Sequence, residues 1–393
     1  MELTWRWFGK NDRIGLRELK SIGVEGIVTA LHGIANGEVW PEEEIVRLRD
    51  YIAGAGLRWS VVESLPVSEG IKWGSPDRDR LLENYRVSLE HLGRAGIRTV
   101  CYNFMPVIDW IRTDLLRPTP EGNYTLYFDR IRFAYFDCRI LTREGAERDY
   151  TQQELAAVEE LAATVTEEER ERLVDTIIVK TQGFINGNIR EGDRDPVSLF
   201  RQLLSRYEGI DRDRLRANFK YFMEAVAPMA ERYGIGLCVH PDDPPYQVLG
   251  LPRIVTGRED IDWLLSAVDS PANGLTFCAG SLSSGLHNDV PELAGRYADR
   301  THFVHLRSTD AFDNGNFVEA PHTEGRGRLV EVIRVFEKRR PEVPMRVDHG
   351  LLMPGDVGRG DNPGYSFLGR MYALGEVRGM MAAVRKEIEE GRI

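Results

Sequence analysis

Pro344-Met345-Arg346-Val347-Asp348-His349-Gly350 reads as one short strand that ends on a carboxylate, an imidazole and a glycine. Three earlier segments share its grammar: Gly236-Leu237-Cys238-Val239-His240-Pro241, Leu275-Thr276-Phe277-Cys278-Ala279-Gly280 and Thr301-His302-Phe303-Val304-His305-Leu306. Each is an apolar run of strand length that stops on His or Cys, and the stretches between them carry helix-like apolar periodicity. In a closed parallel barrel such strand ends converge. His240, Cys278, His305 and Asp348 would then form one cluster of two imidazoles, a thiolate and a carboxylate, a donor set suited to a divalent transition metal.

The same beat of strand, polar strand end and helix runs outward towards the N-terminus. Expected strands are Leu3 to Phe8, Gly26 to Leu31 ending at His32, Leu57 to Val62 ending at Glu63, and Ile97 to Tyr102 ending at Asn103. Helices are expected at Ile14 to Ile22, from Pro41 to the Gly54-Ala55-Gly56 stop, and from Asp77 to Ala95. The Pro41-Glu42-Glu43-Glu44 start suits the helix dipole. Helices at Asp211 to Tyr233, Glu259 to Val268, Val290 to Ala298, Leu329 to Lys338 and Ser366 to Glu390 alternate with the four later strands. Eight strand-helix units predict a (β/α)8 TIM barrel, an α/β fold whose site lies at the C-terminal strand ends. An open doubly wound sheet is the other reading, but no GxGxxG follows a first strand.

Between strands four and five the beat breaks, from Pro106 to about Gly209. Tyr124 to Phe128 suggests a hairpin arm, and Thr151 to Val165 and Glu167 to Ile178 are helix-prone. So long a connection exceeds ordinary loops. We therefore expect residues 1–393 to form a single barrel domain, with 106–209 inserted as an ordered excursion or lid.

Composition narrows the function classes. No apolar run approaches the roughly 20 residues needed to span a bilayer, and the N-terminus lacks the basic and apolar regions of a signal peptide. A soluble, cytoplasmic protein is expected. Cys101, Cys138, Cys238 and Cys278 are scattered without CxxC spacing, so reduced thiols are the default. A formal net charge of -11 disfavours a nucleic-acid partner. A small anionic substrate can still be met by local arginines.

Within Thr301 to His305 the two imidazoles are three residues apart and point to opposite faces of a strand. His305, nearer the strand end, is the expected ligand, and His302 is assigned to packing or hydrogen bonding. His349 beside Asp348 is placed for proton transfer. Tyr365, in Asn362-Pro363-Gly364-Tyr365-Ser366, arrives just before the last helix, where a nearby metal would lower its phenol pKa. His32, Glu63 and Asn103 are candidates for substrate hydroxyls, and Arg307 and Arg346 for a substrate carboxylate. For His322, after strand seven, substrate contact and solvent exposure are equally expected.

Taken together, these strings resemble the mannonate dehydratases of bacterial hexuronate (glucuronate) breakdown. The resemblance runs nearly end to end, through Thr4-Trp5-Arg6-Trp7, Asn36-Gly37-Glu38-Val39-Trp40, Cys101-Tyr102-Asn103-Phe104-Met105-Pro106, Val239-His240-Pro241-Asp242-Asp243-Pro244-Pro245, His305-Leu306-Arg307-Ser308, Asp348-His349-Gly350 and Asn362-Pro363-Gly364-Tyr365. It implies a xylose isomerase-like barrel, Mn2+ or Fe2+ held by His240, Cys278, His305 and Asp348, and acid/base work by His349 and Tyr365. Thiolate softness alone would suggest Zn2+ or Fe2+. Gly33 and Val347 depart from the pattern, which would have His and Pro there. The expected reaction is loss of water from D-mannonate to give 2-dehydro-3-deoxy-D-gluconate, with a small aldonic acid as the only partner besides a second copy in a homodimer. A sugar isomerase or epimerase on the same barrel, or a non-catalytic sugar-acid-binding metalloprotein, are the alternatives.

Overall fold

A computed structural model describes residues 1–182, 189 and 192–393. Positions 183–188 and 190–191, inside the expected insertion, lie outside the described residues. Twelve strands are present among the described residues: β1 (Glu2–Arg6), β2 (Gly26–Thr29), β3 (Arg58–Glu63), β4 (Thr99–Tyr102), β5 (Asp114–Pro118), β6 (Tyr124–Phe128), β7 (Gly236–Val239), β8 (Asn273–Cys278), β9 (Thr301–Leu306), β10 (Ser308–Ala311), β11 (Phe317–Ala320) and β12 (Pro344–Val347).

Eight of them close a parallel barrel in the order β1-β12-β9-β8-β7-β4-β3-β2. These are the eight strands expected from the sequence. The closing seam pairs Leu3 with Met345 and Thr4 with Arg346. Strands buried on both faces carry near-continuous apolar runs, and β2, β4 and β8 are buried at every position. Val28, Val61, Cys101, Cys238 and Phe303 fill the barrel interior as one small cluster. The main core lies between the strands and the outer helices. Those helices fall where periodicity put them, for example Glu42–Gly54, Arg78–Arg94, Arg212–Tyr233 and Phe367–Glu389.

The region after β4 has its own apolar cluster, built on Phe128, Phe133, Phe136, Ile177 and Phe200. The expected arm at Tyr124–Phe128 is β6, which pairs antiparallel with β5. The two helix-prone segments are helices Gln152–Ala162 and Glu167–Val174, each opened by a Thr-x-x-Glu capping box at Thr151 and Thr166. The second passes at Asp175–Lys180 into a π-helical turn.

One element was not expected. The loop after β9 forms the hairpin β10–β11, and β11 pairs with β6 through Phe317–Phe128 and Val318–Tyr127. The result is a four-stranded sheet, β10-β11-β6-β5, drawn from two loops remote in sequence. It brings Glu319 and Arg112 over the C-terminal ends of the barrel strands. Among the described residues no helix is long and apolar enough to cross a membrane.

Candidate active site

At the C-terminal ends of β7, β8 and β9, one donor atom each from His240, Cys278 and His305 lies within 4.8 Å of the others. Strand alternation decides which imidazole of β9 takes part. His305 is fully buried in the cluster, whereas His302 Nε2 donates to the Pro271 carbonyl, 3.2 Å away, and the ring lies against Gly236 and Gly274. Cys278 ends β8 and caps the short helix Ala279–Ser283, its Sγ receiving the Ser281 amide at 3.5 Å. The Nδ1 of His240 contacts its neighbour's carbonyl, Pro241 O, at 2.7 Å.

These donors fit a divalent transition metal. Neither ring nitrogen of the wholly buried His305 makes a hydrogen bond among the described residues, Nε2 meeting only Glu63 Oε1 at 3.4 Å, and an unsatisfied buried polar atom is costly. Burial and then Arg346 lower the His305 pKa, which favours the neutral imidazole that a ligand requires. Burial alone would raise the Cys278 thiol, but His240 and Arg307 pull it well below its ordinary range. Burial would lower His240 in turn, yet Cys278, Cys101 and Asp348 raise it to about 10. An anionic sulfur with two imidazoles is a soft, electron-rich set whose negative charge a cation satisfies.

Asp348 stands beside this triad. Its Oδ2 is 3.8 Å from Cys278 Sγ, while Arg346 Nη1 donates to Oδ1 at 2.6 Å and Arg307 Nε is 3.0 Å from Oδ2. Burial would raise this carboxyl; Arg346, His349 and Arg307 hold it well below the usual range. The Tyr365 hydroxyl also donates to Oδ1, at 3.4 Å, and burial raises its phenol above the ordinary value. The His349 ring lies between Tyr365 and Trp110, with centroids 5.1 and 4.9 Å away.

Six of these residues, Asp348, His349, Tyr365, His240, Arg307 and Arg346, share with Glu63 and Asn103 the walls of a small cavity of about 70 Å³. Glu63 bonds Arg346 through two contacts of 3.0 Å. Burial would raise its carboxyl, but Arg346, His305 and Arg6 hold it at about 2. Asn103 donates to Asp109 at 2.6 Å. Arg307 is equally committed, reaching Asp243 at 2.6 Å and Glu319 at 2.5 Å. Arg307 passes so close to the backbone of Gly280 that a Cβ there would sit 2.1 Å from its Nε. The two arginines expected to clamp substrate are therefore both ion-paired to protein carboxylates.

Two expected contacts do not reach the cavity. His32 is exposed on the loop after β2, 6.1 Å from the Phe8 ring. His322 is neither exposed nor at the cavity wall: it is buried, with Nε2 2.9 Å from the Leu306 carbonyl. Burial depresses its pKa to about 4. Conversely, the walls include Arg6, Asp109, Trp110 and Asp243, none of which was selected from the sequence. Glu319, three residues before His322 in the string Glu319-Ala320-Pro321-His322, was not among the residues expected at the site. Alternation in Phe317–Ala320, buried at Phe317 and Glu319, was the available signal. A wider cleft of about 1040 Å³ lies between the insertion and the loop around Pro245 to Thr256, and none of the expected site residues lines it.

The profile of the D-mannonate dehydratase (UxuA) family matches residues 1–390. The chain belongs to this family. It is 44% identical over 395 residues to a mannonate dehydratase of Chromohalobacter salexigens, covering 98% of this chain and 99% of that one. Among solved structures, the mannonate dehydratase from Streptococcus suis serotype 2 superposes with a TM-score of 0.78 at 33% identity, over 99% of this chain and 96% of the other. A D-psicose 3-epimerase superposes with a TM-score of 0.52 at 10% identity, over 97% and 99% of the two chains, which is a likeness of fold. The mannonate dehydratase family thus joins the sequence resemblance to the barrel and its donor cluster.

Proposed function

We propose that this site removes water from D-mannonate to give 2-dehydro-3-deoxy-D-gluconate, with His240, Cys278, His305 and Asp348 holding Mn2+ or Fe2+ and His349 and Tyr365 handling the protons. The observation that carries the reading is the meeting of His349 and Tyr365 at Asp348, beside the buried donor triad. A divalent ion so held supplies Lewis-acid stabilisation of the charge that develops next to the substrate carboxylate. The chain's own residues supply the rest.

Elimination requires loss of a weakly acidic proton at C2 and protonation of the hydroxyl leaving C3. An imidazole and a phenol on neighbouring walls of one cavity are suited to these two transfers, each worth about 10²- to 10⁴-fold. Burial keeps Tyr365 protonated and hence an acid. Arg346 and Arg307 keep Asp348 ionised, as a metal ligand must be. Arg6 also lines the cavity; its Nη1 makes no hydrogen bond among the described residues and meets Glu63 Oε2 only at 3.6 Å, a looser pairing than those of Arg307 and Arg346. It is the cation we assign to the substrate carboxylate, in place of the committed Arg307 and Arg346. Trp110, from the insertion, helps to exclude water from His349, so the part of the insertion around Trp110 and Arg112 roofs the site.

The test is a panel of aldonic acids assayed for keto-deoxy acid, beside ketoses assayed for isomerisation or epimerisation. His349→Asn and Tyr365→Phe are expected to keep their metal and fold while losing about 10²-fold or more in kcat. Turnover of a ketose without keto-deoxy acid formation, or loss of metal in step with loss of rate, would overturn the assignment.

A further inference from the structure

Glu319 has no part in the scheme above, yet it is the best-connected carboxylate near the cavity. His349 Nδ1 lies 2.8 Å from its Oε1 and 3.1 Å from its Oε2. Arg112 Nη2 donates to Oε1 at 2.6 Å and Arg307 Nη1 at 2.5 Å. Both arginines also bond Asp243, so two cations and two carboxylates alternate in a buried square. Burial would raise the Glu319 carboxyl, but His349, Arg307 and Arg112 bring it down to about 2.

An ionised carboxylate only accepts hydrogen bonds. The His349 nitrogen that faces it must therefore carry the proton. Arg307 Nη1 stands 3.2 Å from the same Nδ1 and has a second N–H to give, but a bare Nδ1 would then face the ionised Glu319 oxygen lone pair to lone pair at 2.8 Å. In neutral imidazole one nitrogen is a donor and the other an acceptor. With Nδ1–H given to Glu319, the lone pair is on Nε2, the nitrogen 3.9 Å from Asp348 Oδ1 on the cavity side.

We propose that Glu319 is the positioning residue that holds the His349 ring by its Nδ1–H and so leaves Nε2 facing the cavity. This deepens the dehydratase reading and rests on it. In the dehydratase step on which it rests, with His349 as base and Tyr365 as acid, His349 Nε2 takes the C2 proton, the C–H electron pair becomes the C2–C3 double bond, and the C3–O bond breaks. The departing hydroxide takes the Tyr365 proton and leaves as water. The enol becomes the 2-keto acid when C3 takes the proton back from His349 and the enol O–H proton passes to the Tyr365 phenolate, so that both residues are restored and the protons balance. Arg112 comes from the insertion after β4, and Glu319 from the hairpin after β9, so the orientation of His349 is set by both parts of the roof.

A double-mutant cycle separates this role from a merely structural one. Glu319→Gln is expected to lower kcat by about 10- to 10²-fold with little change in KM, as loss of an orienting partner does. In the His349→Asn background the same substitution should cost almost nothing further, because the residue it acts through is gone. Glu319→Asp, which keeps the charge between Arg112 and Arg307, serves if the glutamine variant does not fold, and the same non-additivity is expected of it. In the Zn2+-loaded chain with 15N-labelled histidine, a downfield Nδ1–H resonance should be present in wild type, absent from His349→Asn, and shifted upfield or lost in the Glu319 variants, whose acceptor is weaker or shorter. Equal losses in the two backgrounds, or an unchanged Nδ1–H resonance in the variants, would refute the proposal. Wild-type kcat in His349→Asn would instead refute the dehydratase assignment of His349, and the resonance would still decide whether Glu319 orients the ring.

Discussion

Gly364→Ala tests whether the placement of His349 controls the rate. Gly364 has φ +80° and packs directly on the imidazole: a Cβ there would lie 2.7 Å from His349 Cγ and 2.8 Å from Cδ2. Carbon atoms in van der Waals contact are separated by about 3.5 Å or more, so the ring must retreat by about 0.8 Å. The left-handed backbone adds about 1–2 kcal/mol for any residue with a Cβ, and overpacking a further ~1–3 kcal/mol. A shift of about 1 Å in a catalytic group can cost up to ~10²-fold in rate. We expect the alanine variant to unfold at lower denaturant, by about 2–5 kcal/mol, and to lose ~10- to 10²-fold in kcat while keeping its metal. The assays are urea unfolding, metal quantification on protein purified without chelator, and keto-deoxy acid formation. Wild-type kcat in a variant that is destabilised as expected would refute the reasoning, since His349 would then tolerate displacement.

Three further outcomes follow from the same geometry. His240→Asn, Cys278→Ser and His305→Asn should each lose bound metal and activity together, measured by elemental analysis and turnover; full metal content in Cys278→Ser would return that thiol to an ordinary core role. Glu63 and Glu319, both held at about 2, lie below their unfolded values, so their stabilisation is present above about pH 4.5 and is lost as pH falls towards 2. Thermal melts should therefore be flat with respect to these groups at neutral pH and decline on acidification, less steeply in Glu63→Gln. Gly280→Ala should displace Arg307, because its Cβ would lie 2.1 Å from the guanidinium Nε, with a loss of ~1–3 kcal/mol on unfolding and a lower kcat.

The barrel was legible because each of its strands is an apolar run closed by a polar end, and the helices between them carry unbroken 3.6-residue periodicity. The triad was legible for the same reason: strand ends converge, and β alternation separates His305 from His302. Glu319 and Arg112 were not: Glu319 sits on a four-residue strand too short for its alternation to outweigh a loop reading, and Arg112 lies in the irregular stretch between β4 and β5. Arg307 and Arg346 show a different gap. Sequence displays a cation near a site, but not whether a carboxylate from another strand already holds it, and here Glu63, Asp243, Glu319 and Asp348 do. His322 was misread because a histidine beside a proline in a loop looks exposed, whereas β11 folds it under the roof.

The four-stranded sheet carries a consequence for grafting. Its β6 and β11 share backbone pairing, Thr125 Oγ1 donates to the Glu319 carbonyl at 2.7 Å, and Asn316 binds both the Arg130 amide and the Tyr127 hydroxyl at 2.8 Å. A chimera that imports residues 106–209 from a relative therefore receives half a sheet whose partner strands were shaped by another chain. The module that can be exchanged is discontinuous: 106–209 together with 308–322.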